Sequence, residues 1–318
     1  MPSPKPSRGL KVLFVAILFL ALPLFWPSLI STLSLAVHDD RYLQVAVAPF
    51  LTSLLILWNR KAIFSRARWC PAVGLPLIAV AGLLGARFRS FALPLAVLAF
   101  VMFALSAFLL CFGARSFHAS LYPLSCLFLM IPYPAAWLNR VATILQYGSA
   151  DVSYALLRLT GFPVFRDGLV FSLPGLDFAV APECSGIRSS LALLMVCLVA
   201  AYLYLRSGWS RLALILLTVP IALLKNATRI TVIAILGAYV NRIYIDGPLH
   251  HRYGGLVFSV FGAVVFVLVL AGLQRLEKRL AEPLRAGWNS GGEAEALTPR
   301  RSSISTRTNR ISEGTIRP

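Results

Sequence analysis

Of 318 residues, 58% are hydrophobic and only 13% are charged, against about 25% charged in an average soluble domain. The formal net charge of +18 would suit a nucleic-acid partner, yet nine of the 30 cationic side chains lie from Arg275 onward and most others punctuate apolar runs. That is how membrane topology is encoded, so composition excludes both a nucleic-acid binder and soluble modules on a single anchor.

A bilayer core about 30 Å thick needs about 20 apolar residues per helix, and eight spans can be drawn: 10–35, 42–58, 70–86, 91–113, 119–137, 186–205, 211–238 and 254–274. The first is flanked by Lys5, Arg8 and Lys11. It is longer than the apolar stretch of a secretory signal and lacks a small-x-small cleavage site, so it reads as a retained span. Pro123, Pro132 and Pro134 interrupt the fifth. The longest loop, about 138–185, follows it. Val141 to Leu159 carries apolar residues at helical spacing and suits an interfacial amphipathic helix. Val164, Phe165, Leu169, Val170, Phe171 and Phe178 favour strands about the turn dipeptide Pro174-Gly175, so a small β-hairpin is expected before span six.

The expected fold is thus an all-α integral membrane domain over residues 1–284, with a small extracytoplasmic helix and hairpin segment. Residues 285–318, polar and rich in Ser and Arg, are expected to form a disordered basic tail. With both termini in the cytoplasm, nineteen cationic groups lie inside and eight outside, which favours that orientation in the cell membrane.

Five cysteines (70, 111, 126, 184 and 197) show no CxxC or metal-ligand spacing. Four sit within or at the ends of apolar segments, where Cys behaves as a small hydrophobe. Cys184 instead ends the long outer loop, at the start of span six. Backbone N–H groups and the helix dipole there favour a thiolate, the nucleophilic form. Ser185 is placed to cap that helix, and Gly186 leaves room for a substrate backbone. In span seven, Arg229 carries a guanidinium toward the outer end, with Asn226 on the same helix face and Lys225 adding a second cation. A cation inside a span calls for a partner or a function. At the start of span eight, Pro248 suits the first helical position and puts His250 and His251 in the opening turn.

Each of these residues alone has a bland reading: a buried Cys, an Arg reaching the headgroups, an interfacial His. Together they fall toward one side of the membrane. A thiol, an imidazole to move its proton and a guanidinium to hold an oxyanion make a coherent acyl-transfer set. His250 shares a helix face with Gly254 and Phe258, whereas His251 lies about 100° round and precedes Arg252.

The runs Glu183-Cys-Ser-Gly-Ile-Arg-Ser189, Asn226-Ala-Thr-Arg-Ile230 and His250-x-x-x-Gly254-x-x-x-Phe258, in this order, resemble the exosortase/archaeosortase family of polytopic membrane cysteine transpeptidases. The resemblance covers about residues 90–275. It departs from the family pattern at His251, where an acidic residue is common, and at Gly255, which replaces an aromatic. It implies about eight spans and an activity on secreted proteins whose C-terminal sorting signal combines a short Pro-Glu-Pro-like motif, an apolar helix and a basic cluster. Cleavage near the motif would be followed by transfer to an acceptor at the cell surface, often alongside exopolysaccharide production. By that analogy Cys184 is the nucleophile, Arg229 the oxyanion or substrate stabiliser and His250 the acid/base, with no metal or organic cofactor. The partners implied are the secreted substrates, membrane lipids and an acceptor that the sequence does not identify. Two other classes remain open. One is an enzyme of lipid-linked glycans, with an anionic diphosphate against Lys225 and Arg229; the other is a transporter or assembly protein with Asn226 and Arg229 on its path.

Overall fold

Apolar side chains recurring over twenty or more residues leave the backbone one economical choice in lipid, the helix, which satisfies its own N–H and C=O groups. The computed structural model describes residues 8–65, 67–90, 92–181, 185–241 and 254–296, the backbone alone for 254–256 and 281–296. Its long helices are α1 (Arg8–His38), α2 (Leu43–Trp58), α4 (Pro71–Phe88), α5 (Leu93–Ala119), α7 (Ala135–Leu159), α8 (Ile187–Tyr204), α9 (Gly208–Tyr239) and α10 (Gly254–Ala296); α3 (Arg60–Phe64) and α6 (Leu121–Ser125) are short. Among the described residues, 7 helices are long and apolar enough to cross a membrane, or up to 8 if a bent pair counts as one span. The protein is a multi-pass, all-α membrane protein, as its composition requires.

The bent pair falls where the fifth span was expected. Residues Leu121–Met130 and Ala135–Leu159 meet at 103°. Ile131, which precedes Pro132, takes extended backbone at φ −71° and ψ 121°, the conformation a following proline favours. In place of one helix over 119–137 there is α6, a 3-10 turn over Cys126–Met130 and an extended stretch. Tyr122 at one end donates to the Leu198 carbonyl (2.9 Å), and the Tyr133 carbonyl at the other accepts from Tyr42 (3.0 Å). Between them Cys126 packs with Leu51 and Leu55 of α2 and, more loosely, Leu198 of α8.

The fourth span ends at residue 113, as its apolar run does. Gly113 breaks α5 with φ +76°, and a side chain there would strike the Arg68 carbonyl oxygen at 2.4 Å. Arg68 and Cys70 donate their N–H groups to the Phe112 and Leu110 carbonyls, at 3.1 and 2.9 Å, covering the end of that helix.

The long loop holds the expected helix, here α7, and a sheet larger than the expected hairpin. Strands β1 (Phe165–Asp167), β2 (Val170–Leu173) and β3 (Leu176–Ala179) form one antiparallel sheet in chain order. The turn at Pro174-Gly175 joins β2 to β3. The third strand comes from Phe165 to Asp167, where Arg166 forms an ion pair with Asp151 of α7 (2.6 Å) and lies 5.6 Å from the Phe171 ring. The buried face of the sheet packs Phe171, Leu173 and Val180 on Ala150 and Leu157 of α7 and Ile230 of α9.

Met1–Gln274 forms one unit and Arg275–Pro318 another. Helix α10 runs to Ala296, past residue 284, where the sequence suggests a disordered tail; residues 297–318 lie outside those described.

Candidate active site

Five helices converge where α1 turns into α2. Ala36, Tyr42, Val45, Leu138, Leu145 and Ile187 form a shared core there, with Leu191 and Leu223 against it. Polar groups tie the rim above it. Arg41 grips Asp39 through both carboxylate oxygens and donates to Asn139 on α7 (2.9 Å). Those bonds hold the Asp39 carboxyl below its usual pKa. Arg188, in the first turn of α8, pairs with Asp40 at 3.0 Å.

Helix α9 is 32 residues long, about 48 Å at 1.5 Å per residue, against a hydrocarbon core about 30 Å thick. Counting from Gly208, Arg229 stands about 32 Å along the axis. It stands in the C-terminal third of the helix. Beside this part of α9 runs α7, joined to it by polar groups. Asn226 donates through Nδ2 to Ser149 Oγ (3.0 Å), and the Ser153 hydroxyl lies 3.3 Å from the Ala227 carbonyl. Gln146 donates to the Val180 carbonyl (2.6 Å), fixing the end of the sheet. Gln146, Ser149 and Ser153 follow helical spacing and are all buried. In the sequence this stripe shows as polar residues at a 3.6-residue period among apolar ones at the same period.

The first turn of α8 rests on Asn226. Gly186 precedes it with φ +70°, and a Cβ added there would lie 3.1 Å from Asn226 Cγ. Along its Cβ direction Gly186 therefore meets the Asn226 amide. One sequence expectation is corrected: Ser185 does not cap the helix, because Gly186 occupies the N-cap position with no side-chain cap and Ser185 is buried. Ser189 and Ser190 instead turn back to the Gly186 carbonyl, at 3.0 and 2.8 Å.

Lys225, one turn before Arg229, is 8% exposed. Its aliphatic stem fills the notch left by Gly262 of α10, where a Cβ would come within 2.8 Å of it. Phe258 and Gly262 are both buried. Cys184, His250 and His251 lie outside the described residues. Among the described site residues, the structure brings together Gly186, Asn226 and Arg229's turn of α9. A cleft of about 430 Å³ opens below them between α7, α8 and α9, bordered by Trp137, Leu138, Ile187, Leu191, Val219 and Ala222.

A sequence model of the transmembrane exosortase family matches residues 35–267. The chain belongs to that family. The match runs from the end of α1 into α10 and includes all three motif segments; no curated protein and no solved structure matches the chain. Exosortases are generally cysteine transpeptidases, and membership supports a membrane transpeptidase-like role.

In this exosortase, Gly186→Ala should leave the protein inserted but slow it by about tenfold or more. Forcing a side chain into left-handed backbone costs about 1–3 kcal/mol, and the added methyl presses on Asn226. Relief would move the residues that lead into α8. A normal processing rate, with unchanged thermal stability, would show that this turn shifts freely.

Proposed function

We propose that the protein is a cysteine transpeptidase of the cytoplasmic membrane that cleaves C-terminal sorting signals of secreted proteins and transfers them to a surface acceptor. The observation that carries this reading is the packing of the α8 N-terminal turn on Asn226, one turn from Arg229. Cys184 stands two residues before that glycine in the sequence. The Cys184 thiolate attacks the scissile carbonyl carbon, and Arg229 stabilises the oxyanion. The carbon–nitrogen bond then breaks as the imidazolium of His250 returns a proton to the leaving amine, giving a thioester. A nucleophilic acceptor, amine or hydroxyl, attacks the thioester, gives up its proton to the imidazole and frees the thiol. No metal or organic cofactor is needed. Both termini are cytoplasmic in this reading, and the site faces outward. The apolar cleft beside α8 supports a substrate that arrives joined to a membrane helix.

A membrane-impermeant maleimide applied to intact cells tests this. Among the described cysteines, Cys111, Cys126 and Cys197 are buried and only Cys70 is partly exposed, at the end of α4 that the charge bias puts inside. In a Cys70→Ser background the reagent should therefore label Cys184 alone and stop processing of proteins ending in an apolar helix and Arg cluster. Full labelling of Cys184 with processing unchanged would end the cysteine mechanism.

Buried Lys225 favours a second reading, an enzyme acting on an anionic lipid-linked glycan. It requires that removing Lys225 and Arg229 harm activity more than removing the thiol does.

A further inference from the structure

Strand β3 lies at the edge of its sheet and runs, through Val180 and Ala181, toward the segment that holds Cys184. Its register with β2 decides which backbone groups are free. Val180 donates to the Leu169 carbonyl (2.9 Å), so 169 and 180 form a hydrogen-bonded pair. Such pairs alternate along an antiparallel ladder, which makes Phe171/Phe178 and Leu173/Leu176 the next two. The N–H and C=O groups of Asp177 and Ala179 therefore point away from β2. Both residues are exposed, and among the described residues no hydrogen bond reaches those outward groups. An open edge of this kind is a template for another strand, and proteins usually blunt it.

We infer that the outer edge of β3 is the docking site for the substrate's extended segment, the residues just before its apolar helix, added as a fourth strand. This rests on the transpeptidase reading above and deepens it. Three features commit the edge to that occupant. The strand leads along the chain into the nucleophile's segment. The sheet is fixed to α7 and α9 by the Phe171 core and the Gln146 bond to Val180, so an added strand would extend a sheet anchored on Ile230, the residue after Arg229. The apolar cleft begins at Ile187, in the first turn of α8, where a helix following that segment would descend. Main-chain pairing would supply affinity while alternate side chains supply selectivity.

The test uses the purified full-length Cys184→Ala protein and a capped fluorescent peptide about eight residues long, near the length of a typical strand. The peptide is copied from the stretch before the apolar helix of a secreted protein that the native chain processes. N-methyl groups are placed on its backbone one position at a time. Methylation at alternate residues should weaken binding by about three- to tenfold, the worth of one hydrogen bond, and the intervening residues should tolerate it. Ala179→Pro, which removes an outward N–H, should weaken binding by a similar factor, and Ala179→Ser should not. Absence of binding, or an N-methyl profile without a two-residue period, overturns the proposal. So does a dimer paired through β3 that the peptide fails to disperse, since a second copy would then be the occupant. Processing by the Cys184→Ala protein in cells would instead defeat the cysteine reading and leave an alternating peptide profile standing by itself.

Discussion

Arg229→Lys is expected to insert and fold like the native chain and to lose processing by a factor on the order of a hundred or more, the scale of one lost oxyanion donor. Charge alone is kept in this variant. What disappears is the planar fork that reaches two oxygens at once. The position sharpens the expectation. Lysine and arginine cost about the same inside a span, so the substitution adds little insertion penalty. Lys225, one turn earlier on α9, is buried. Processing at the native rate would reduce Arg229 to a headgroup contact. The measurement is the rate at which substrate accumulates in its processed form, normalised to the amount of protein in the membrane.

His250→Ala should lower the same rate by a factor on the order of a hundred to ten thousand, the usual range for a general acid–base residue, while His251→Ala largely preserves it. Both histidines lie outside the described residues, and the choice rests on the spacing His250-x-x-x-Gly254-x-x-x-Phe258 in the sequence. The reverse pattern would move the role to His251, and high activity in both variants would remove histidine from the mechanism.

Where apolar runs were uninterrupted, span positions were legible to within a few residues. Residues 211–238 correspond to Gly208–Tyr239 and 186–205 to Ile187–Tyr204, because hydropathy alone decides what lipid will accept. The three prolines were legible as a weakness in the fifth span, but not its outcome. A proline removes a hydrogen bond wherever it falls, and only the neighbours determine whether the chain kinks or leaves the helix. The site was partly legible. Asn226 stood out as a polar residue in a span, yet its partners Ser149 and Gly186 lie on other elements, 77 and 40 positions away in the chain. No local pattern joins residues so far apart. The left-handed backbone of Gly186 and the amide beside it appear only once α8 and α9 are packed. The third strand escaped because Phe165 to Asp167 is short and charged, and an ion pair to α7 holds it as much as its own alternation does.

The segment of residues 121–134 bears on how the protein is born. A five-residue helix, a 3-10 turn and an extended run ending in prolines offer fewer internal backbone hydrogen bonds than one continuous helix. Its two tyrosine bonds reach Tyr42, just before α2 and synthesised earlier, and Leu198 of α8, synthesised later. The second forms only after α8 has emerged, so residues 121–134 reach their final contacts later than their place in translation.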